Sequence, residues 1–388
     1  MSFYEPPNNN GCFIVIKHSI SRLSFSIALT FIAFVSAKIT SVIPKIFRNR
    51  KKNETKIVAI EAGKLGMKSV FYEELVDSAK EFYGTNKVIE FTINREKSYL
   101  KQSYRNIRVY KPNLLIVDPR TGSQFWPRAY LQTMIILIFS RVFNFTPIVI
   151  LTDASILLWR IQAIMLTANR KSKGVIVTFL DYKKFKFLFP HSRIIGPSLI
   201  PISKQRIAQI EIMSKSNIRK SITNKSYIHF LGSLYNKRKI FFDEMNILLG
   251  ESTAETTILM SKKDKFPSSN EYWNFLVENP ISITTTFIEK NPKYYYDRSD
   301  INQLVFRISE ALAVGNFLFC QFFPGISEIF TDGKEMCIYY NKEDLLKKIV
   351  YYFENQEEMV SVSKTGNEFY KELARKNFFW TEIELYVS

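Results

Sequence analysis

From residue 56 the chain alternates short, continuous apolar runs with longer stretches whose apolar positions recur every three or four residues. The first run, Lys56-Ile-Val-Ala-Ile-Glu61, ends in Ala62-Gly-Lys-Leu-Gly66. A helical period follows from about Ser69 to Phe82. Lys87 to Ile93 then reads as a strand, Lys97 to Val109 as a helix, and Asn113 to Val117 as a strand ending in Asp118-Pro-Arg-Thr-Gly122. Arg128 to Phe143 reads as a helix and Pro147 to Leu151 as a strand ending in Thr152-Asp153. Gly174 to Phe179 and Arg193 to Ile195 are two more strands. Strands that are apolar throughout and separated by helices predict a parallel sheet covered on both faces.

Residues 201–226 are polar, lack turn-to-turn periodicity and predict a linker. The alternation then restarts. Tyr227 to Leu234, Thr256 to Met260, Ile281 to Ile288, Phe317 to Phe322 and Met336 to Tyr340 read as strands. Lys237 to Leu249, Asn270 to Val277, Ile301 to Val314 and Lys342 to Phe353 read as helices. The fold class is therefore α/β, with two doubly wound domains over residues 56–200 and 227–375 and a C-terminal tail over 376–388. Ligands of such sheets bind beyond the carboxyl ends of the strands, so two of them facing each other imply a cleft.

Residues 1–55 follow a different pattern. Residues 1–11 are polar and rich in Pro and Asn, and Leu23 to Ala37 is a run of 15 residues without a charge. As a helix this run spans roughly 22 Å, short of the roughly 30 Å hydrocarbon core; continuing to Ile43 would reach across if Lys38 snorkels. Lys45, Arg48, Arg50, Lys51, Lys52 and Lys56 follow it, against Lys17 and Arg22 before it. That bias places the downstream domains on the cytoplasmic face of a membrane, with the segment as a single anchor or an interfacial helix. Val35-Ser36-Ala37 also fits a signal-peptide cleavage site, and a soluble amphipathic extension is a third reading. The apolar stretch Tyr130 to Leu151, broken by Arg141 and Pro147, reads as a buried helix and strand.

Charge sharpens the picture. The net charge of +18 lies wholly in residues 1–200, which hold 30 Lys and Arg against 12 Asp and Glu, while residues 201–388 hold 24 of each. Such asymmetry points to an anionic surface: lipid headgroups, nucleic acid or an acidic glycan. No nucleic-acid-binding motif is present, so nucleic acid is not an expected partner. Cys12, Cys320 and Cys337 have no metal or redox spacing and suit a reducing compartment. His229, in an apolar run, reads as a core residue. No zinc signature occurs, and no Asp-x-Asp pair is available to hold a divalent ion on a diphosphate, so neither a metal nor a cofactor is expected.

The helix at 301–314 is the most informative segment. Asp300 and Gln303 can form a capping box at its start. Ile301, Leu304, Val305, Ile308 and Leu312 share one stripe, with Gln303, Arg307 and Glu310 opposite. Taken alone, Arg307 and Glu310 fit a surface ion pair as well as a binding site. The context adds to this. Asn302 to Gly315 reads NQLVFRISEALAVG, followed by the strand FLFCQFF, by Pro324-Gly-Ile-Ser-Glu328 and by Asp332-Gly333. This resembles the C-terminal domain of the group 1 and group 4 glycosyltransferases of the two-domain GT-B type, whose signature is E-x7-E-A-x-A-x-G. Asn302 stands where the first glutamate of that signature belongs, and R-x-x-E-A-L-A-x-G resembles a variant branch carrying arginine in this helix. The resemblance covers residues 227–375 well and residues 56–200 only in layout.

What the resemblance implies is a nucleotide-sugar donor held by the C-terminal domain and a glycan or lipid-linked acceptor at the N-terminal one, with retention of configuration and no required metal. Glu310 would accept hydrogen bonds from the donor ribose, Arg307 would face the diphosphate or the sugar, and Asn302 leaves the sugar contact open. Phe230-Leu-Gly-Ser-Leu-Tyr-Asn-Lys-Arg238 adds Gly232, Ser233 and Arg238, a strand end and helix start suited to phosphate; a solvated basic turn is the plainer reading. In the first domain, Gly63, Lys64 and Gly66 are either a turn or part of the cleft. Asp118 and Arg120 sit at another strand end. Asp153 is either a helix N-cap or the group that takes the acceptor's proton. A non-catalytic protein of the same fold, a scaffold or glycan binder, is the alternative that Asn302 keeps open.

Overall fold

In a computed structural model the structure describes residues 56–63, 70–93, 99–119, 126–151, 157–167, 174–178, 193–196, 198–216, 227–232, 236–261, 266–285, 306–323 and 325–387. The hydrophobic segment Leu23 to Ala37 lies outside them. Among the described residues no helix is long and apolar enough to cross a membrane.

The first domain runs β1 (Val58–Gly63), α1 (Val70–Tyr83), β2 (Val88–Ile93), α2 (Tyr99–Tyr110), β3 (Leu114–Val117), α3 (Trp126–Val142), β4 (Thr146–Leu151), α4 (Leu157–Thr167), β5 (Val175–Thr178) and β6 (Arg193–Ile195). Its six strands are parallel, in the order β2-β1-β3-β4-β5-β6. The sheet is buried on both faces, which explains the apolar runs. Val58, Ile60, Leu114, Ile116, Ile148 and Ile150 point to one side with α1. Ala59, Leu115, Val117, Val149 and Leu151 point to the other, with side chains of α2, α3 and α4.

The second domain runs β7 (Tyr227–Leu231), α6 (Asn236–Gly250), β8 (Thr257–Ser261), α7 (Ser269–Glu278), β9 (Ile281–Thr284), α8 (Phe306–Val314), β10 (Phe317–Gln321), β11 (Cys337–Tyr339), α9 (Lys342–Glu354) and α10 (Gln356–Arg375). The α5 helix (Lys204–Ser216) precedes it. Its five strands are also parallel, in the order β11-β10-β9-β7-β8. Both sheets thus reverse direction at the same point of their topology: between β1 and β3 in the first, between β7 and β9 in the second. Cys320 and Cys337 are buried free thiols on neighbouring strands, and burial raises the pKa of both.

Two segments differ from the sequence reading. The predicted linker contains α5, whose first turn is capped from a distance. Glu81 of α1 accepts from the backbone N–H of Lys204 and Gln205, both at 2.8 Å. Glu74, fully buried, accepts from the backbone N–H and the hydroxyl of Ser203 and from Arg206 Nε at 2.8 Å. Burial raises the Glu74 pKa, and Arg206 and Ser203 oppose it. Carboxylates at a helix N-terminus satisfy its open N–H groups and its dipole. The predicted tail contains α11 (Phe378–Val387), which packs on β5 and β6 of the first sheet. One apolar core therefore runs from the α1 side of the first sheet, through α5 and α11, to α8 and α10 on the second.

Candidate functional site

The second sheet's reversal, between β7 and β9, is where side chains from several elements meet. β7 is followed by Gly232, at φ 156°. A Cβ there would collide with the guanidinium of Arg307, from the first turn described for α8. The absence of a side chain is what lets Arg307 lie on the strand end. Its Cζ is 5.0 Å from the centroid of the buried Phe230 ring, and Arg238 Cζ is 5.3 Å from the same centroid. Arg238 is buried in the first turn of α6, with Nε donating to Thr285 Oγ1 at 2.8 Å. Thr285 directly follows β9, so Arg238 reaches the end of β9 while Arg307 lies on the end of β7. The first turn of α6 has no acidic residue. Two guanidinium groups beside one ring, one of them in the first turn of α6, suit an anion with several oxygens.

Glu310 lies one turn along α8 from Arg307 and is 1% exposed. It lines a void of about 20 Å³ together with Arg307, Tyr272, His229, Asn279 and Ser282. Tyr272 is buried beside it; burial, then the Glu310 carboxylate, raises the Tyr272 pKa well above the usual range, with Arg307 opposing. Glu310 and Arg238 are both buried, so neither side chain fits the surface reading of its segment. From Ile308 to Val314 every residue of α8 is buried, because α10 closes one flank and α5 and α7 the other. Gly366 makes the α10 contact possible: a Cβ there would meet the Glu335 carbonyl and Leu312. The helix ends in a Schellman turn, with Gly315 at φ 74° and Asn316 N–H donating to Ala311 O at 2.8 Å.

The structure thus brings Gly232, Arg238, Arg307 and Glu310 together at one topological position. It adds Phe230, Tyr272 and Thr285, which reading the sequence does not single out. Phe230 and Tyr272 look like core aromatics in a chain full of them, and nothing local marks Thr285. In the first domain, Gly63 ends β1 and Asp118 follows β3, the two paired strands at that sheet's reversal. Ser233, Asn302, Lys64, Gly66, Arg120, Asp153, Asp300 and Gln303 lie outside the described residues. His229 is buried, with its ring 4.5 Å from that of Phe275. Among the described residues no group of three or more His, Cys, Asp or Glu is placed to hold a metal.

Gly232→Ala tests the close approach. The added methyl must push the arginine side chain aside and sits on a backbone at positive φ, so the expected stability loss is about 1–3 kcal/mol. Affinity for a nucleotide diphosphate should fall at least roughly tenfold, because the displaced guanidinium loses a charge-assisted contact. Calorimetry beside a thermal melt separates the two effects.

Two parallel doubly wound sheets, each with candidate residues at its reversal, define the class. Residues 265–377 match the family described as glycosyl transferase-like. Among solved structures, sucrose-phosphate synthase from Thermosynechococcus elongatus superposes with a TM-score of 0.54 at 9% identity, over 85% of this chain and 98% of that one. Anabaena HepE in complex with UDP and glucose gives 0.53 at 11% identity, over 85% and 99%. A glycosyltransferase from Rickettsia africae gives 0.52 at 11%, over 86% and 98%. No curated protein matches the chain in sequence. The chain has the GT-B fold of these structures, and its residues 265–377 are similar to the glycosyl transferase-like family.

Proposed function

We propose that the protein moves a sugar from a nucleotide-diphosphate donor to a surface-polysaccharide or lipid-linked acceptor, with retention of configuration and without a required metal. The observation that carries this reading is the pair of guanidinium groups, Arg238 and Arg307, held at the carboxyl ends of β7 and β9 beside a buried carboxylate. In transfer, the bond from the anomeric carbon to the diphosphate breaks and a bond to an acceptor oxygen forms. Charge grows on the leaving diphosphate, and fixed cations in a partly buried site stabilise it more than they stabilise the bound donor. Arg238 and Arg307, with Gly232 and Ser233 at the strand end, would take the diphosphate. Glu310 would accept the ribose hydroxyls and Asn302 would face the sugar. The acceptor would lie against Gly63, Lys64, Gly66, Asp118 and Arg120, and Asp153 would take its proton. The HepE complex with UDP and glucose, which shares the fold, supports a nucleotide-sugar donor.

Incubation with a panel of UDP-, GDP-, ADP- and dTDP-sugars, followed by mass spectrometry, tests the reading. Donor consumption that depends on Arg307 is the expected result. If no nucleotide binds and no donor is consumed, a glycan-binding scaffold replaces it. Turnover should persist in EDTA, because arginines and a helix terminus meet the diphosphate charge; strict dependence on magnesium or manganese would place the protein in another mechanistic class.

The reading extends to the cytoplasmic face of an anionic membrane, supported by the uncharged run Leu23 to Ala37 and the cations that follow it. Deleting residues 1–52 should sharply reduce the membrane-bound fraction of the protein in a cell lysate with its melting temperature unchanged. A full-length chain found wholly in the soluble fraction would count against the anchor.

A further inference from the structure

We infer that α2 and α3 form a second membrane contact, a folded docking face for anionic lipid that sets the cleft against the headgroups. This deepens the membrane reading above and rests on it. On α2, Lys101, Arg105 and Arg108 are exposed and, at about 100° per residue, fall within about 60° of one another. Tyr104, 43% exposed, flanks this ridge on one side and Val109, 63% exposed, on the other. Leu131 of α3 is 60% exposed, and Arg128 of the same helix is exposed as well. Tyr104 ties the two helices together: its ring centroid is 6.0 Å from that of Phe139 and 5.9 Å from that of Phe143, with Arg108 Cζ at 5.9 Å from its own centroid.

Two further observations select the occupant. Among the described residues from Tyr99 to Leu151 the exposed charged side chains are Lys101, Arg105, Arg108, Lys111 and Arg128, all basic, where a solvated surface interleaves both signs. The exposed apolar side chains include the aliphatic Val109 and Leu131. Nucleic acid is bound by grooves in which aromatic rings stack on bases, and it has little use for aliphatic groups. Cations with aromatic and aliphatic flanks on a helical wall match the chemistry of anionic headgroups over acyl chains. The wall is also well placed. It covers the side of the first sheet opposite α1, and α2 begins at the carboxyl end of β2, the edge at which Gly63 and Asp118 stand. Lipid against α2 therefore brings a lipid-linked acceptor to the mouth of the cleft.

The experiment is co-sedimentation of the full-length chain with phosphatidylcholine vesicles, with and without phosphatidylglycerol. Wild type is compared with the triple variant Lys101→Gln, Arg105→Gln, Arg108→Gln and with the double variant Val109→Ser, Leu131→Ser. UDP affinity and melting temperature are recorded for each. The expected result is partitioning onto anionic vesicles weakened roughly 100-fold in the triple variant, at about tenfold for each one to two cations lost. The double variant should weaken binding about tenfold, with UDP affinity unchanged in both. If wild type binds and the triple variant binds equally well, residues 1–52 carry all the membrane affinity and this face is wrong. If wild type does not bind anionic vesicles, this face and the membrane reading fall together. If an RNA oligonucleotide displaces wild type from vesicles and the double variant behaves as wild type, the face is a nucleic-acid site and the inference is overturned.

Discussion

Arg307→Ala should lower turnover by roughly 30- to 1000-fold, the equivalent of about 2–4 kcal/mol of charge-assisted contact with the donor diphosphate. The side chain stands on Gly232, beside Phe230 and within the same buried cluster as Glu310 and Tyr272. Its removal therefore has a second consequence. A buried carboxylate loses a neighbouring cation and a ring loses a cation–π contact, so the melting temperature should also fall, by an amount equivalent to about 1–3 kcal/mol. Arg307→Lys separates the two. A lysine keeps the charge near Glu310 and restores much of the stability, but a point charge replaces the planar fork that grips two phosphate oxygens. Its turnover should stay well below wild type while its melting temperature recovers. Glu310→Ala should act mainly on donor affinity, since ribose contacts are made equally in the ground and transition states. Calorimetry with UDP and GDP, steady-state turnover and thermal melts on the three variants decide the matter. Unchanged binding and turnover in a folded Arg307→Ala protein would remove the donor site from this position and with it the main argument for catalysis.

How much of this is written in the sequence depends on the range over which the determining contacts act. The parallel strands are legible because burial on both faces leaves a local mark: Leu114 to Val117 and Ile281 to Thr284 are buried at every position. The helix carrying Arg307 and Glu310 is legible from its spacing and its glycine stop. Its surroundings are not. The two residues lie opposite the apolar stripe, and solvent would be their usual neighbour; they line a void with Tyr272 of α7, His229, Asn279 and Ser282 instead. Gly366, which looks like a weak point in an amphipathic helix, is where a Cβ would meet the Glu335 carbonyl and Leu312.

The two segments assigned as linker and tail show the same limit more sharply. In α5, Ile207 and Ile210 are buried but Ile212 is 67% exposed, so no clean period marks the helix. Its N-terminal caps, Glu74 and Glu81, come from a helix far upstream in the chain. Gly232 and Arg307 are likewise joined only by the strand order that sets β7 beside β9. Local signals disclosed the elements and the chemistry of single residues; long-range packing decided which of them meet.

Deleting residues 376–388 should unfold the first domain, although that domain is predicted to be complete at residue 200. The α11 helix buries Phe379, Trp380 and Ile383 almost completely. At roughly 1.5–3 kcal/mol for each such side chain, the loss is comparable to the whole stability of an ordinary domain, about 5–15 kcal/mol. Polar contacts are lost with it. Trp380 Nε1 donates to Ser78 Oγ at 3.1 Å, Tyr83 hydroxyl to Glu384 Oε1 at 2.6 Å, and Arg193 Nη1 to the Tyr386 carbonyl at 3.1 Å; Lys56 pairs with Glu384. Their partners in α1 and β6 would then face water or a gap. A milder variant guards against a chain that simply fails to express. Trp380→Ala leaves the helix in place but opens a cavity beside Tyr83 and Ser78, for an expected cost of about 3–5 kcal/mol. Urea unfolding followed by circular dichroism should show the Trp380→Ala midpoint displaced far below that of wild type. The truncated chain should show no cooperative transition for the first domain. Because α11 belongs to the apolar core that also holds α8, and Phe71 of α1 packs edge-on against Phe306 of α8 at 5.6 Å, the damage should reach α8 as well, and UDP affinity should fall with the first domain in the truncated chain. A truncated protein that melts like wild type would mean that α11 merely decorates a sheet that is stable without it.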